Sequence, residues 1–184
     1  MITAKQLYGR RISARDGHIG AVDDLYFDDH AWTVRYLVID TGKWLPGRKV
    51  LIVPDVIIPP WHDETDLPVD LTKEQIKSSP DIDTAQPVSR NAEQLLYSHY
   101  GWSPYWLVPG LPAPPPPPPL GAASEEERRE ASEQAESISE QHLRSTKEVA
   151  GYRLLARDGE IGHVRDFIFD DDCRRILFLA VDLE

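Results

Sequence analysis

Apolar and polar residues alternate in short runs at both ends of this chain. Arg11-Ile12-Ser13-Ala14 is the first run, Ile19 to Phe27 the second and Trp32 to Asp40 the third. A period of two marks strands with one buried face. In the second run Leu25 and Phe27 share one face, and Val22 takes the other. In the third, Trp32, Val34, Tyr36 and Val38 share a face with Leu37 and Ile39 opposite, so its end is expected to be buried on both sides. Arg15-Asp16-Gly17 separates the first two runs. Asp-Gly between apolar runs predicts a tight type I′ hairpin, whose centre needs positive φ. Asp28-Asp29-His30 forms the next turn. Lys49 to Val53 and Val56 to Ile58 read as further strands, broken at Pro54.

The pattern then returns. Residues 3–40 align without a gap onto residues 145–182, and 16 of the 38 positions are identical. Most others swap like for like, as in Leu25/Phe167, Val34/Ile176 and Tyr36/Phe178. A duplication of this length encodes a repeated structural unit. Thr3 with Gln6, and Ser145 with Glu148, have capping-box spacing, so each copy opens with a short helix that Gly9 or Gly151 stops. Arg157-Asp158-Gly159 repeats the turn, and Asp16, Gly17, Asp158 and Gly159 are its structural residues. Only the first copy continues, through Thr41 to Arg48, into the Lys49–Ile58 region. The second reaches Glu184 where that hairpin begins, leaving about half of a barrel unaccounted for. Its last strand, Ile176 to Val181, is almost wholly apolar and is expected to be covered or paired.

These residues carry a resemblance. The pattern G-x-x-(I/L)-x-A-x-D-G-x-I-G-x-V-x-D-x-x-F-D, a strand ending in V-x-D, and W-L-P-G-R-K-V-L-I-V-P resemble the PRC-barrel family. Its name joins the photosynthetic reaction centre H subunit and the ribosome maturation factor. The match runs from about Thr3 to Pro60 and again from Ser145 to Glu184. The segment between them looks like the connector of stand-alone bacterial proteins with two such repeats. The resemblance implies a mainly β fold: a small antiparallel barrel, duplicated with its second copy truncated, and helical connector segments. It implies docking against partners and brings no reaction with it.

The domain reading follows. Residues 1–62 form the complete barrel, 63–110 a helical and aromatic connector, 111–123 a polyproline linker, 124–144 a polar helix or disordered stretch, and 145–184 the incomplete second repeat. In the connector, Leu71 to Ile76 is a capping box with a staple. Ser89 caps a helix bearing Ala92, Leu95, Leu96 and His99 at helical spacing. Tyr97, Tyr100, Trp102, Tyr105 and Trp106 follow, the densest aromatic cluster of the chain. They read either as cover for an open barrel face or as a partner-binding patch. Pro114 to Pro119 reads as a stiff extended linker.

Charge narrows the partners. The 184 residues carry a formal net charge of −11. Such a chain repels phosphate backbones and anionic lipid, which argues against nucleic acid. No apolar run approaches the ~20 residues that span a bilayer, and the N-terminus has no signal-peptide pattern. With the lone Cys173, this predicts a cytoplasmic protein. No P-loop, G-x-S-x-G, G-x-G-x-x-G or H-E-x-x-H is present. The histidines lack metal spacing, and turn formation explains the Asp28-Asp29 and Asp170-Asp171 steps better than a cation does. The expectation is therefore no catalytic site, metal, cofactor or small-molecule substrate. The function expected is a scaffold or protein-interaction module, docking a partner or forming a homodimer. Its candidate surfaces are the five aromatics and the Leu177 and Leu179 strand. Two rival readings come from the resemblance: an accessory of RNA processing and ribosome maturation, and an accessory of photosynthetic reaction centre electron transfer.

Overall fold

The computed structural model of the chain describes residues 1–61, 65–82, 88–106, 143–157 and 159–183. Residues 1–83 and 142–184 make one compact unit, and residues 84–141 a second. The fold is mainly β.

Five strands between residues 11 and 68 form most of the larger, six-stranded sheet of the first unit. They are β2 (Arg11–Ala14), β3 (Gly17–Asp28), β4 (Thr33–Asp40), β5 (Lys49–Ile52) and β6 (Asp66–Pro68). Their order is β5-β4-β3-β2-β6; all pairings are antiparallel except β2 with β6. The core holds Ile12, Ile19, Leu25, Phe27, Tyr36, Leu37, Ile39, Leu51 and Ile52, each at most 2% exposed. As the period-two pattern predicts, β4 is buried on both faces from Tyr36 to Ile39.

Two local expectations are corrected. The β2–β3 turn is not type I′. Ala14 pairs with Gly17, so the turn's centre is Arg15-Asp16, and neither has positive φ. Gly17 does, at φ 130°, but it already belongs to β3. A non-glycine centre avoids the left-handed region, and the glycine takes up the distortion one residue later. The Asp16 carboxylate is thereby free to accept from the Lys73 N–H (2.8 Å) and cap α2 (Lys73–Lys77). Nor is Val56 to Ile58 a strand. Pro54–Val56 makes one 3₁₀ turn, and only Ile57 pairs, with Val69. Proline fixes φ at the start of that turn and lacks the N–H a strand needs.

The second repeat forms β8 (Arg153–Ala156), β9 (Gly159–Phe169) and β10 (Ile176–Leu183). β9 pairs with both neighbours. Gly159 has φ 150°, close to its counterpart Gly17; Asp158 lies outside the described residues.

The two repeats exchange their first strands. β1 (Ile2–Thr3) leaves its own repeat and pairs with β9, Ile2 opposite Phe169. β7 (Leu143–Ser145) does the reverse and pairs with β3, Ser145 opposite Tyr26. Between them Thr33 bridges Arg175, which is its own counterpart at the offset of 142. Val34 N–H donates to Arg174 O (2.8 Å), and Ile176 N–H donates to Trp32 O (2.9 Å). These two bonds interchange under the same offset, so the repeats are related by an approximate two-fold axis through Thr33 and Arg175.

The second unit contains α3 (Arg90–Tyr100), capped by Ser89, which accepts from the Ala92 N–H. Gly101 ends it in the left-handed conformation, φ 69°, and Trp102 N–H returns to Tyr97 O. Its buried residues are Glu93, Leu96 and Tyr97; Leu95, expected on the same apolar stripe, is 54% exposed.

Candidate interaction face

The joint between the repeats is built from polar side chains at strand and helix ends. Asp24, 7% exposed, sits at the N-terminus of α4 (Thr146–Val149). Its carboxylate accepts from the Ser145 hydroxyl, from Thr146 Oγ1 (2.9 Å) and from Lys147 N–H (3.2 Å). An anion there meets the free N–H groups of a helix start. The related Asp166 does the same for α1 (Ala4–Leu7), accepting from Lys5 N–H (3.3 Å). Tyr8 and Thr146 share a hydrogen bond of 2.8 Å, and burial pushes the Tyr8 phenol up to about 12. Around this centre Lys147 pairs with Asp23 (2.6 Å) and Arg144 with Asp29 (3.0 Å). Burial opposes ionisation of both carboxyls, but hydrogen bonds from Lys147 and Lys49 to Asp23, and from His30 and Arg144 to Asp29, hold both below the usual range. Phe27 and Phe167 seal the joint with ring centroids 5.4 Å apart.

The second repeat is buried only where it meets the first. Val164, Phe167, Phe169 and Ile176 are at most 8% exposed, like their counterparts Val22, Leu25, Phe27 and Val34. The other half of the same sheet differs. Phe178 is 58% exposed where its counterpart Tyr36 is fully buried, and Ile161 is 42% exposed where Ile19 is 1%. Leu154, counterpart of buried Ile12, is half-buried. Leu155, Leu177 and Leu183 are exposed as well. In the first repeat β5 lies along β4 here, with Leu37 opposite Ile52 and Ile39 opposite Val50. Among the described residues, no strand lies along the corresponding edge of β10. The sequence singles out Leu177 and Leu179 in this strand: Leu177 is exposed and Leu179 half-buried. Phe178 and Ile161, the larger features, become visible only when each exposure is set beside its counterpart.

The five aromatics lie in the second unit and pack largely on one another. Tyr97, 6% exposed, is the hub, with Trp102, Tyr105 and Trp106 centroids 5.7, 6.1 and 5.0 Å away. Tyr100 stacks on Trp102 at 4.2 Å. The Arg90 guanidinium lies over Trp106 (4.4 Å) and pairs with buried Glu93 (2.9 Å), which also accepts from Tyr105 Oη (3.0 Å). Burial, with the Glu93 charge beside it, raises the Tyr105 phenol far above its ordinary value.

One acidic group has cation-binding spacing: Asp28, Asp29 and His30, with ligand atoms within 4.8 Å of one another. Asp28 accepts from the N–H groups of His30 and Ala31 and pairs with Arg35, while Asp29 holds His30 and Arg144. The turn and its ion pairs occupy these carboxylates. Among the described residues no helix is long and apolar enough to cross a membrane.

The family model of the PRC-barrel domain matches residues 1–67. That part of the chain is a PRC-barrel domain. The match spans the strands β1 to β5 and ends within β6, which pairs with β2. The second repeat's likeness to a PRC barrel rests on its alignment with the first. No curated protein matches the chain.

Proposed function

We propose that this protein is a non-enzymatic interaction module in which the PRC barrel is the rigid support and the open half of the second repeat is the docking face. The observation that carries this reading is the contrast between Phe178 and Tyr36. The same position of the same fold is fully buried in one repeat and 58% exposed in the other. Apolar side chains exposed where the same positions are core in the other repeat suit an interaction site. No cluster of nucleophile, base and oxyanion donors competes with it among the described residues. The net charge of −11 disfavours the RNA-processing rival, and a photosynthetic accessory role has no structural feature of its own here.

Self-association is the second reading, favoured by the outer edge of β10: beyond Ile176 no strand lies along it among the described residues, and two such edges can pair antiparallel in a self-complementary way. Light scattering over a wide concentration range, on the native chain and on Phe178→Lys, tests both readings. A dimer lost on substitution supports self-association. A monomer that retains one stoichiometric partner from its source, and loses it on substitution, supports docking of a different protein. Retention unchanged by the substitution, or turnover in broad hydrolase and oxidoreductase screens, overturns the proposal.

A further inference from the structure

We infer that the joint between the repeats is selective for unlike repeats and closes between two copies of this chain as well as within one. In the resulting two-fold dimer the first repeat of each copy takes the second repeat of the other. This surface is separate from the open half of the second repeat, and the inference does not depend on docking there.

The joint already has the form of an exchange. Among the described residues β1 pairs only with β9, and β7 only with β3. Each strand thus has its partner in the other repeat, and neither repeat is complete until an unlike one supplies a strand. The sequence joins the two through residues 84–141, which form a compact unit of their own. The contacts named at the joint all lie within residues 1–83 and 142–184, so a second copy offers each repeat the same partner. Closure within one chain is favoured by the tether, equivalent to a concentration of about 1 mM. Closure between two chains makes two complete joints from the same contacts. Reciprocal exchange of an identical element is a low-cost route to a dimer.

The departures from two-fold symmetry show which repeats fit each other. Under the offset of 142 the hydrogen bond between Tyr8 and Thr146 (2.8 Å) maps onto Ala150 and Ala4. It therefore forms once per joint, and only between unlike repeats. Two first repeats would set the half-buried Tyr8 hydroxyl against Ala4. They would also face Asp24 with Thr3 and Ala4, where the native joint offers the hydroxyls of Ser145 and Thr146. Ile2 would stand where Arg144 holds Asp29 (3.0 Å). Two second repeats fare no better. Arg165 is the counterpart of Asp23, so Lys147 would meet a guanidinium in place of the carboxylate it pairs with at 2.6 Å. Thr146 would face Ala150. Each like pairing strands polar groups, and the second also opposes like charges, which is how an interface rejects a wrong partner. Only the unlike pairing satisfies Tyr8, Asp23, Asp24 and Asp29 together.

The experiment uses two full-length chains with reversed charges. One carries Arg144→Glu and Lys147→Glu, the other Asp23→Lys and Asp29→Lys. Each sets like charges across its own joint. In a mixture, opposite charges meet at both joints only when the two chains close on each other. The variants are refolded apart and together, then read by native mass spectrometry and light scattering. We expect dimers of one chain of each kind, at concentrations at least about tenfold below those at which the native chain dimerises, the scale of several ion pairs regained. Neither variant should dimerise alone. Phe178→Lys added to both chains should leave the dimer in place. The inference is overturned if the mixture yields only monomers, or if either variant pairs with itself as readily as with the other. It is equally overturned if Phe178→Lys abolishes the dimer, which assigns the association to β10 and supports the self-association reading instead. Should the variants fold neither apart nor together, isotopically light and heavy native chains refolded together above about 1 mM decide the matter. Dimers of mixed mass uphold the inference and their absence overturns it. Failure of the inference leaves docking on the open half of the second repeat untouched.

Discussion

Gly20 and Gly162 lie at equivalent sites where no side chain fits. A Cβ on Gly20, φ 152°, would stand 2.1 Å from Asp40 O; on Gly162, φ 143°, it would stand 1.9 Å from Asp182 O. These are contacts with backbone, which cannot swing aside. Gly9 has positive φ too, at 75°, but nothing lies within 4 Å of its Cβ position. Gly20→Ala should therefore cost more than about 3 kcal/mol, combining backbone strain with a displaced strand. Gly9→Ala should cost about 1 kcal/mol. Chemical denaturation of the two variants checks the difference; equal costs would contradict the close approach. A second comparison uses Tyr36 and Phe178. Tyr36→Ala should cost about 3–5 kcal/mol as a core truncation. Phe178→Ala should cost under about 1 kcal/mol, because most of that ring already faces water. Equal losses would mean that β10 is covered in solution.

At the scale of elements, most strands of the first repeat were legible because one face of each is buried, and burial writes a period of two into the sequence. The helix starts were legible for a different reason: a capping hydroxyl and its partner three residues on are local chemistry, and both halves of the box form at Thr3 and at Thr72. The turn at Arg15-Asp16 was misread because register, not the Asp-Gly pair, decides which residues lie at its centre. The strand exchange was not legible at all. Ile2-Thr3 and Leu143 to Ser145 are too short to carry a period, and their partners lie more than a hundred residues away. What points to the exchange in retrospect is Asp24, a buried acid inside a strand. Besides the adjacent Leu25 N–H, its donors are Ser145, Thr146 and Lys147 of the other repeat. Asp24→Ala removes the acceptor of all four and should cost about 2–3 kcal/mol. The half-buried Asp166 serves fewer donors, and Asp166→Ala should cost about 1 kcal/mol. Thermal unfolding of both variants tests this order.

For the whole molecule the consequence is that neither repeat completes its own sheet. β1 belongs by sequence to the first repeat and by pairing to the second, while β7 does the reverse. Acid should loosen this union. Asp23 and Asp29, which bind Lys147 and Arg144 across the joint, have folded-state pKa values held below the ordinary one. Their contribution is fully present above the unfolded-state value of about 3.9 and is lost as pH falls through the lower folded values. Denaturant midpoints should thus drop more steeply below about pH 4 in the native chain than in an Asp23→Asn, Asp29→Asn double variant. The stronger test cuts the covalent link. A protease site is inserted in the 111–123 segment, between the repeats in sequence, and the purified protein is cut there. The exchanged strands, the Asp24 cluster and the Phe27–Phe167 contact all persist without that link. Both fragments should therefore co-elute from a sizing column and unfold in one transition. Its midpoint should fall with dilution, because a unimolecular equilibrium has become a bimolecular one. Fragments that separate on cleavage, each with its fold intact, would show that each repeat folds on its own and that the exchange is dispensable.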